Sequence, residues 1–525
     1  MPERSVAPRW YVSVLVALLA AALWSGEADG AGVHGVVVER VVAERVVAER
    51  VVAERVGVER APPRLHVAAL AGPPHDEVRR FGDVLAANGR LVAIGAPTAG
   101  DDALSPGAVH IVRLEDGSTS GLTPILCATF LSREEGEHFG GALAMTRMRD
   151  RLGRLSILAI GADRASATAP TGQSSPGTAE GAVEILRSRS DPSQPEGSNP
   201  WILEDRITST EPEPGAEFGG ALAFDSGYRV QLAIGSARHS VAGKFAAGIV
   251  EIFERASGDG GREYVPSIDG DDVEDSVYRG PNVGVARRSA PENPWSHRAT
   301  ITAPVPHSSA WFGRAVALDA DWLAVGAPGE DLAGHTPINA TGAVHLYRLL
   351  PNGYQLIATL HAPIPEPSMW FGATIALDGS RLAVGAPRAS VGTDRVGAVF
   401  VYELVRPREP PLRLDAPQSQ SGAGFGQSLA LQDNLLLAGS PGLDQRDQNG
   451  EMIEDVGACW AFDLSTPNWV YELAAPSTHP SALFGSACAI AGLRADKTIF
   501  PIAGHLYVEE EATAPSPGAA IYRAP

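Results

Sequence analysis

The dipeptide Phe-Gly occurs seven times, at Phe81-Gly82, Phe139-Gly140, Phe218-Gly219, Phe312-Gly313, Phe371-Gly372, Phe425-Gly426 and Phe484-Gly485. Each copy is followed by a short apolar run, a turn and a second apolar run. The second run ends in Gly-Ala-Pro or a relative, as at Gly95-Ala96-Pro97, Gly326-Ala327-Pro328, Gly385-Ala386-Pro387 and Gly439-Ser440-Pro441. The relative is Gly161-Ala162-Asp163 in the second copy, Gly235-Ser236-Ala237 in the third and Ala503-Gly504-His505 in the seventh. A third apolar segment then starts on glycine, as in GAVHIV from Gly107 and GAVHLY from Gly342, and a fourth precedes each Phe-Gly, as in QLIATLHAP from Gln355. Units of this kind cannot bury their apolar faces alone, so the repetition demands that neighbouring units stack.

The segments read as strands. In the third segment of the fourth copy Val344 and Leu346 alternate with His345 and Tyr347, the period of two of a pleated strand. In Ala315-Val316-Ala317-Leu318 one face is bulky and the other is alanine alone. Such a face lets sheets crowd together, as they must near the axis of a radial array. The repeated Phe is expected to be a buried anchor between neighbouring units. Abundant Gly (57) and Pro (41) suit many short strands with tight turns.

Four strands in each of seven units predict an all-β fold, a single seven-bladed β-propeller of four-stranded blades. The phase of the repeat predicts how it closes. The array opens with a fourth-type strand at Leu65 and ends with a third-type strand at Ile521. The N-terminal strand is expected to complete the last blade, since a linear array would leave it on an open edge.

The segments FGRAVALDADWLAVGAP (312–328) and FGATIALDGSRLAVGAP (371–387), each followed by GAV-x-(L/V)-Y, resemble FG-GAP repeats, those of the integrin α-subunit propeller and of many bacterial surface proteins. The resemblance runs over roughly residues 64–525. It implies a propeller used for binding and adhesion, usually outside the cell. The calcium-binding members carry an Asp-rich loop, DxDxDGxxD, between the first two strands. Here that connection is Asp319-Ala-Asp321-Trp322, Asp378-Gly-Ser-Arg381 or Gln432-Asp433-Asn434, too short to wrap an ion that takes six to eight oxygen ligands. The second copy has a longer connection, but Arg147, Arg149, Arg151 and Arg154 in it would repel a cation. No metal is therefore expected at the usual positions, and no cofactor. The weak candidates for calcium are Asp444, Asp447, Asn449 and Glu451, oxygen-bearing residues around a Gly turn. The acidic run Asp269–Asp275 reads as a solvated loop, with a metal-binding loop as the alternative.

Insertions at about 164–180 and 187–200 are rich in Ser, Thr, Pro and Gly and read as loops, and a third lies at about 255–297. Trp311 and Trp370 stand immediately before Phe-Gly; they read as inter-blade packing, with a stacking face for sugars or peptides as the alternative. There are three cysteines. Cys459 and Cys488 fall at apolar strand positions of neighbouring repeats and read as buried thiols, and the sequence leaves a bridge between them open.

Residues 1–30 read as a signal peptide. Arg4 and Arg9 precede an apolar stretch from Trp10 to Trp24, short for a span of about 20 residues. A retained segment would instead anchor the chain in a membrane. Residues 31–63 hold five pentapeptides of the VVAER type and read as a linker, because a period of five keeps no apolar face on a helix or a strand. The propeller is assigned to 64–525. The net charge of -20 argues against a nucleic-acid partner.

No catalytic constellation stands out. The expected function is that of a non-catalytic, secreted or envelope-held binding, adhesion or scaffold module with a protein or glycan ligand. The alternatives are an enzyme with its site at the channel mouth and a structural protein of a surface layer.

Overall fold

The computed structural model describes residues 66–71, 81–97, 107–116, 122–132, 136–150, 153–168, 174–189, 201–225, 230–256, 294–333, 338–407, 409–447, 449–465, 468–475, 480–493, 498–504 and 517–522. The chain divides into two units, Met1–Ala61 and Pro62–Pro525, and every described residue lies in the second. The expected signal peptide, the pentapeptide tract, the run Asp269–Asp275 and Arg151 lie outside the described residues.

Six four-stranded antiparallel sheets are each built from strands that follow one another in the chain. The first comprises Val84–Asn88, Leu91–Ala96, Ala108–Asp116 and Leu122–Leu131. The second comprises Phe139–Asp150, Gly153–Ala162, Ala182–Arg189 and Ile202–Ile207, and the third Ala221–Phe224, Gln231–Ser236, Ile249–Arg255 and Trp295–Thr302. The fourth runs through Ala315–Asp319, Trp322–Ala327, Ala343–Leu350 and Gly353–Leu360, and the fifth through Thr374–Asp378, Arg381–Ala386, Ala398–Glu403 and Leu412–Asp415. The sixth holds Ser428–Gln432, Leu435–Ser440, Ala458–Asp463 and Asn468–Ala474.

One further four-stranded sheet is composite. Ala487–Leu493, Thr498–Gly504 and Pro517–Tyr522 come from the C-terminal end, and His66–Ala71 from the start of the propeller pairs antiparallel with Pro517–Tyr522 as the outermost strand. Ala69 stands opposite Ala520. Together with the six contiguous sheets it completes a ring, so the described residues are all-β and form a closed β-propeller.

The motif glycines set how closely the sheets pack. A Cβ on Gly326 would overlap the carbonyl oxygen of Gly372 in the next sheet. The same contact recurs from Gly95 to Gly140, Gly161 to Gly219, Gly235 to Gly313, Gly385 to Gly426 and Gly439 to Gly485, and Gly504 against Gly82 returns the series to its start. The Gly-Ala-Pro and Phe-Gly motifs are thus two sides of one backbone-to-backbone contact between neighbouring sheets. Amides cross the same seam: Phe312 N donates to Ala247 O at 3.0 Å, Phe371 N to Thr341 O at 3.0 Å and Phe425 N to Val396 O at 2.8 Å.

Each motif Phe is buried at a seam. Phe371 packs edge-on to Phe400 and Tyr402 of its own sheet and joins a cluster with Val344 and Leu346 of the preceding one. Phe425 repeats the arrangement with Trp460 and Phe462. Burying one such ring contributes about 2–3 kcal/mol, and the edge-to-face pairs about 0.5–1.5 kcal/mol more.

The innermost strands surround a central channel of about 700 Å³. The fifth residue after each motif Phe lines it, and in every copy it is alanine: Ala86, Ala144, Ala223, Ala317, Ala376, Ala430 and Ala489. The strands are closest together here, so the methyl group is the side chain that fits.

Two expectations change. The arginine-bearing connection of the second copy is not a long loop, because its first two strands extend in register to Asp150 opposite Gly153, with Arg149 opposite Arg154. The insertion at 164–180 contains a hairpin, Ser166–Thr168 paired with Ser174–Ala179. Equivalent short hairpins follow the fifth and sixth Gly-Ala-Pro motifs, at Ser390–Val391 with Asp394–Arg395 and at Gln445–Arg446 with Met452–Ile453.

Candidate functional site

The innermost strands all start at Phe-Gly, so the ring has two unlike faces: one carries the turns before Phe-Gly, the other the hairpins joining first and second strands. On the hairpin face, carboxylates link the turns of the third to sixth sheets in series. Asp225 Oδ1 accepts from Ala320 N at 2.8 Å, Asp319 Oδ2 from Gly379 N at 2.6 Å and Asp378 Oδ2 from Asp433 N at 2.6 Å. The turns that carry Asp319 and Asp378 hold two residues, with Asp319 opposite Trp322 and Asp378 opposite Arg381. Carboxylates that would face an ion in a long Asp-rich loop are here engaged in holding neighbouring sheets.

On the Phe-Gly face the residue before the motif lies in the left-handed region, at Trp311 (φ 55) and Trp370 (φ 58) among others. For a side chain of that size such a conformation costs about 1–2 kcal/mol, so the surroundings must impose it. They do so through backbone bonds from Ser309 N to Phe245 O at 2.8 Å and from Trp311 N to Ala246 O at 3.1 Å. Trp311 and Trp370 meet edge-to-face with centroids 6.3 Å apart, and the Arg388 guanidinium lies 3.6 Å over the Trp370 ring. Both indoles are half-buried. The packing reading of the two Trp therefore describes their mutual contact, while their remaining surface opens on this face.

The loops that lead to the two Trp, and the loop bonded to them at Phe245, also carry exposed apolar side chains. Phe245 is 67% exposed, Val305 64% and Ile364 69%. Val305 and Ile364 occupy the same place in successive copies, seven residues before Phe312 and Phe371, each between two prolines. Polar side chains hold loops of this face, those of Phe245 and Ile364 among them. Glu366 Oε2 accepts from Ser390 N at 2.9 Å, Glu213 Oε2 from Ser240 N at 2.6 Å and Gln420 Oε1 from Asp444 N at 2.9 Å, in each case from five residues before the motif Phe. The sequence signal for these residues was the repeated Pro-Val-Pro and Pro-Ile-Pro. It was missed because an exposed aliphatic residue carries no chemistry by itself.

The weak calcium candidates sit on this face but serve the local turn. Asp447 Oδ1 accepts from Asn449 N and Glu451 N, each at 2.8 Å, and these amides, Glu451 first, hold its carboxyl below the usual range. Asp444 Oδ1 accepts from Asp455 N at 2.9 Å. Among the described residues no group of three His, Cys, Asp or Glu could hold a metal ion.

Several polar groups are buried at the seams, at the fourth residue of the third-strand motif. His345 Nε2 lies 2.8 Å from Glu330 Oε2, with Nδ1 3.1 Å from Thr359 Oγ1. The equivalent His110 is 3.0 Å from Thr129 Oγ1, and its burial pulls the imidazole down to a pKa of about 4. The equivalent Glu184, with Glu137, is held by Arg206 at 3.4 and 3.3 Å. In the fifth and sixth copies the same position is Phe400 and Trp460. That interchange with aromatic residues marks these polar groups as seam packing.

Among the described residues no helix is long and apolar enough to cross a membrane. The family model for the FG-GAP repeat matches residues 295–347, from the last strand of the third sheet through the third strand of the fourth. No curated protein matches the chain in sequence. The match falls on a unit whose motif residues make the same seam contacts as their counterparts around the ring, and on that ground the chain carries an FG-GAP repeat within a β-propeller.

Proposed function

We propose that this propeller is an exported, non-catalytic binding module that takes a protein or glycan ligand on its Phe-Gly face. The observation that carries the reading is the exposed trio Phe245, Val305 and Ile364 beside the half-buried Trp311–Trp370 pair. Large exposed apolar side chains on loops that also carry aromatic rings suit a contact surface. The basic start and apolar run of residues 4–24 support export.

The test is binding of the purified protein to glycan arrays and to envelope extracts, beside a double variant Val305→Ser, Ile364→Ser. Retained folding with at least a tenfold loss of binding supports the assignment. Equal binding by the variant rejects this face, and no binding to either probe set rejects the module reading. The N-terminal sequence of protein recovered outside the cytoplasm tests export separately: a start near Ala31 supports cleavage.

A further inference from the structure

We propose that Cys459 and Cys488 are a cross-linking site: a disulfide oxidant joins them into a staple between the sixth sheet and the composite last one. The two Sγ atoms lie 3.1 Å apart, and both cysteines are buried. Cys459 is on the third strand of the sixth sheet, opposite Gly439 and Leu473, and Cys488 is on the first strand of the last sheet, opposite Ala503. The two strands belong to different sheets, so no ladder hydrogen bonds join them.

The repeat supplies an internal comparison. Cys459 is the third residue of the Gly-Ala-Val motif, and Cys488 is the fourth residue after a motif Phe. At the other seams the same two positions are aliphatic and meet in one cluster: Val109 with Leu143, Val250 with Val316, Val399 with Leu429. Both members change together at this one seam, and both change to cysteine, in a chain with three cysteines in all. A packing need alone would be met by the Val and Leu used elsewhere.

The balance is that of thiol–disulfide exchange. Two thiols and one external disulfide, of the low-molecular-weight or oxidoreductase class, yield the Cys459–Cys488 bond and two external thiols, and the two protons leave with the reduced oxidant. Burial, and then the neighbouring Cys488, push the Cys459 thiol well above its ordinary range, so the thiolate is scarce once the seam has formed. The bond therefore closes while the last sheet is still docking, and afterwards the same burial shields it from reductants. The staple secures the sheet that the distant N-terminal strand must complete.

The experiment is refolding of the full chain from denaturant in a glutathione redox buffer, followed by alkylation and peptide mapping without reduction. The expected result is one peptide pair linking Cys459 to Cys488, with Cys127 alkylated and a higher unfolding midpoint than for protein refolded with reductant. Cys127→Ser is expected to keep that difference in midpoint, and Cys488→Val to abolish it. Alkylation of both Cys459 and Cys488 after oxidative refolding, or linkage through Cys127 instead, overturns the proposal. Because mapping is done on the unaltered chain, the outcome stands even if a variant fails to fold.

Discussion

Gly504 of the last sheet lies against the backbone carbonyl of Gly82 in the first, so closely that a Cβ on Gly504 would overlap that oxygen. The contact joins residues at opposite ends of the propeller and repeats the one made at every other seam. A methyl group there must push two sheets apart. Gly504→Ala and Gly326→Ala are each expected to lower stability by about 3 kcal/mol or more, since backbone cannot rotate out of the way. Gly379→Ala is the control: its φ is +58 with open space around it, so it should cost only about 1 kcal/mol. Urea unfolding of the three variants measures the contrast.

Arg206 holds two buried carboxylates, Glu137 and Glu184, at the seam between the first two sheets. Arg206→Met takes the charged partner from both and should cost about 3–5 kcal/mol. The exposed pair Arg406–Glu409, with side chains 69% and 63% accessible, should lose no more than about 0.5 kcal/mol on Arg406→Ala. Thermal unfolding of the two variants side by side checks the order.

Burial places the His110 imidazole at a pKa of about 4 in the folded chain, below its ordinary 6.5. Between those values the unfolded chain binds a proton that the folded chain does not. The stabilisation is therefore complete above pH 6.5 and is lost as pH falls towards 4, by up to about 3 kcal/mol. His110→Phe, which copies Phe400 at the equivalent position, is expected to flatten that part of the stability–pH curve. An unchanged slope in the variant would assign the effect to other groups.

The architecture was legible because its determinants repeat. Phe-Gly, Gly-Ala-Pro and the alternation of Ala315–Leu318 each mark one contact, and seven copies make the pattern unmistakable. The closing strand was legible from phase alone, because the order of segments left Leu65 and Ile521 as complementary ends. The Phe-Gly face was not legible. Val305 and Ile364 are ordinary aliphatic residues, and only the bends before Trp311 and Trp370 bring them outward together. The connection after Met148 read as a loop because arginines disguise a strand whose opposite partners, Arg149 and Arg154, carry like charge. Charge repulsion of that kind weakens a ladder but does not forbid it.

The ring is closed by pairing of the two ends of the propeller. Ala69→Cys with Ala520→Cys places a thiol on each of two residues that stand directly opposite across that pairing. Treatment of the folded protein with a short bis-maleimide, which alkylates one thiol at each end, followed by peptide mapping, reads their proximity. The closed ring predicts an intramolecular link between the peptides carrying positions 69 and 520 in most molecules, lost in denaturant. Modification of the two thiols separately, with no link between them under native conditions, would contradict it.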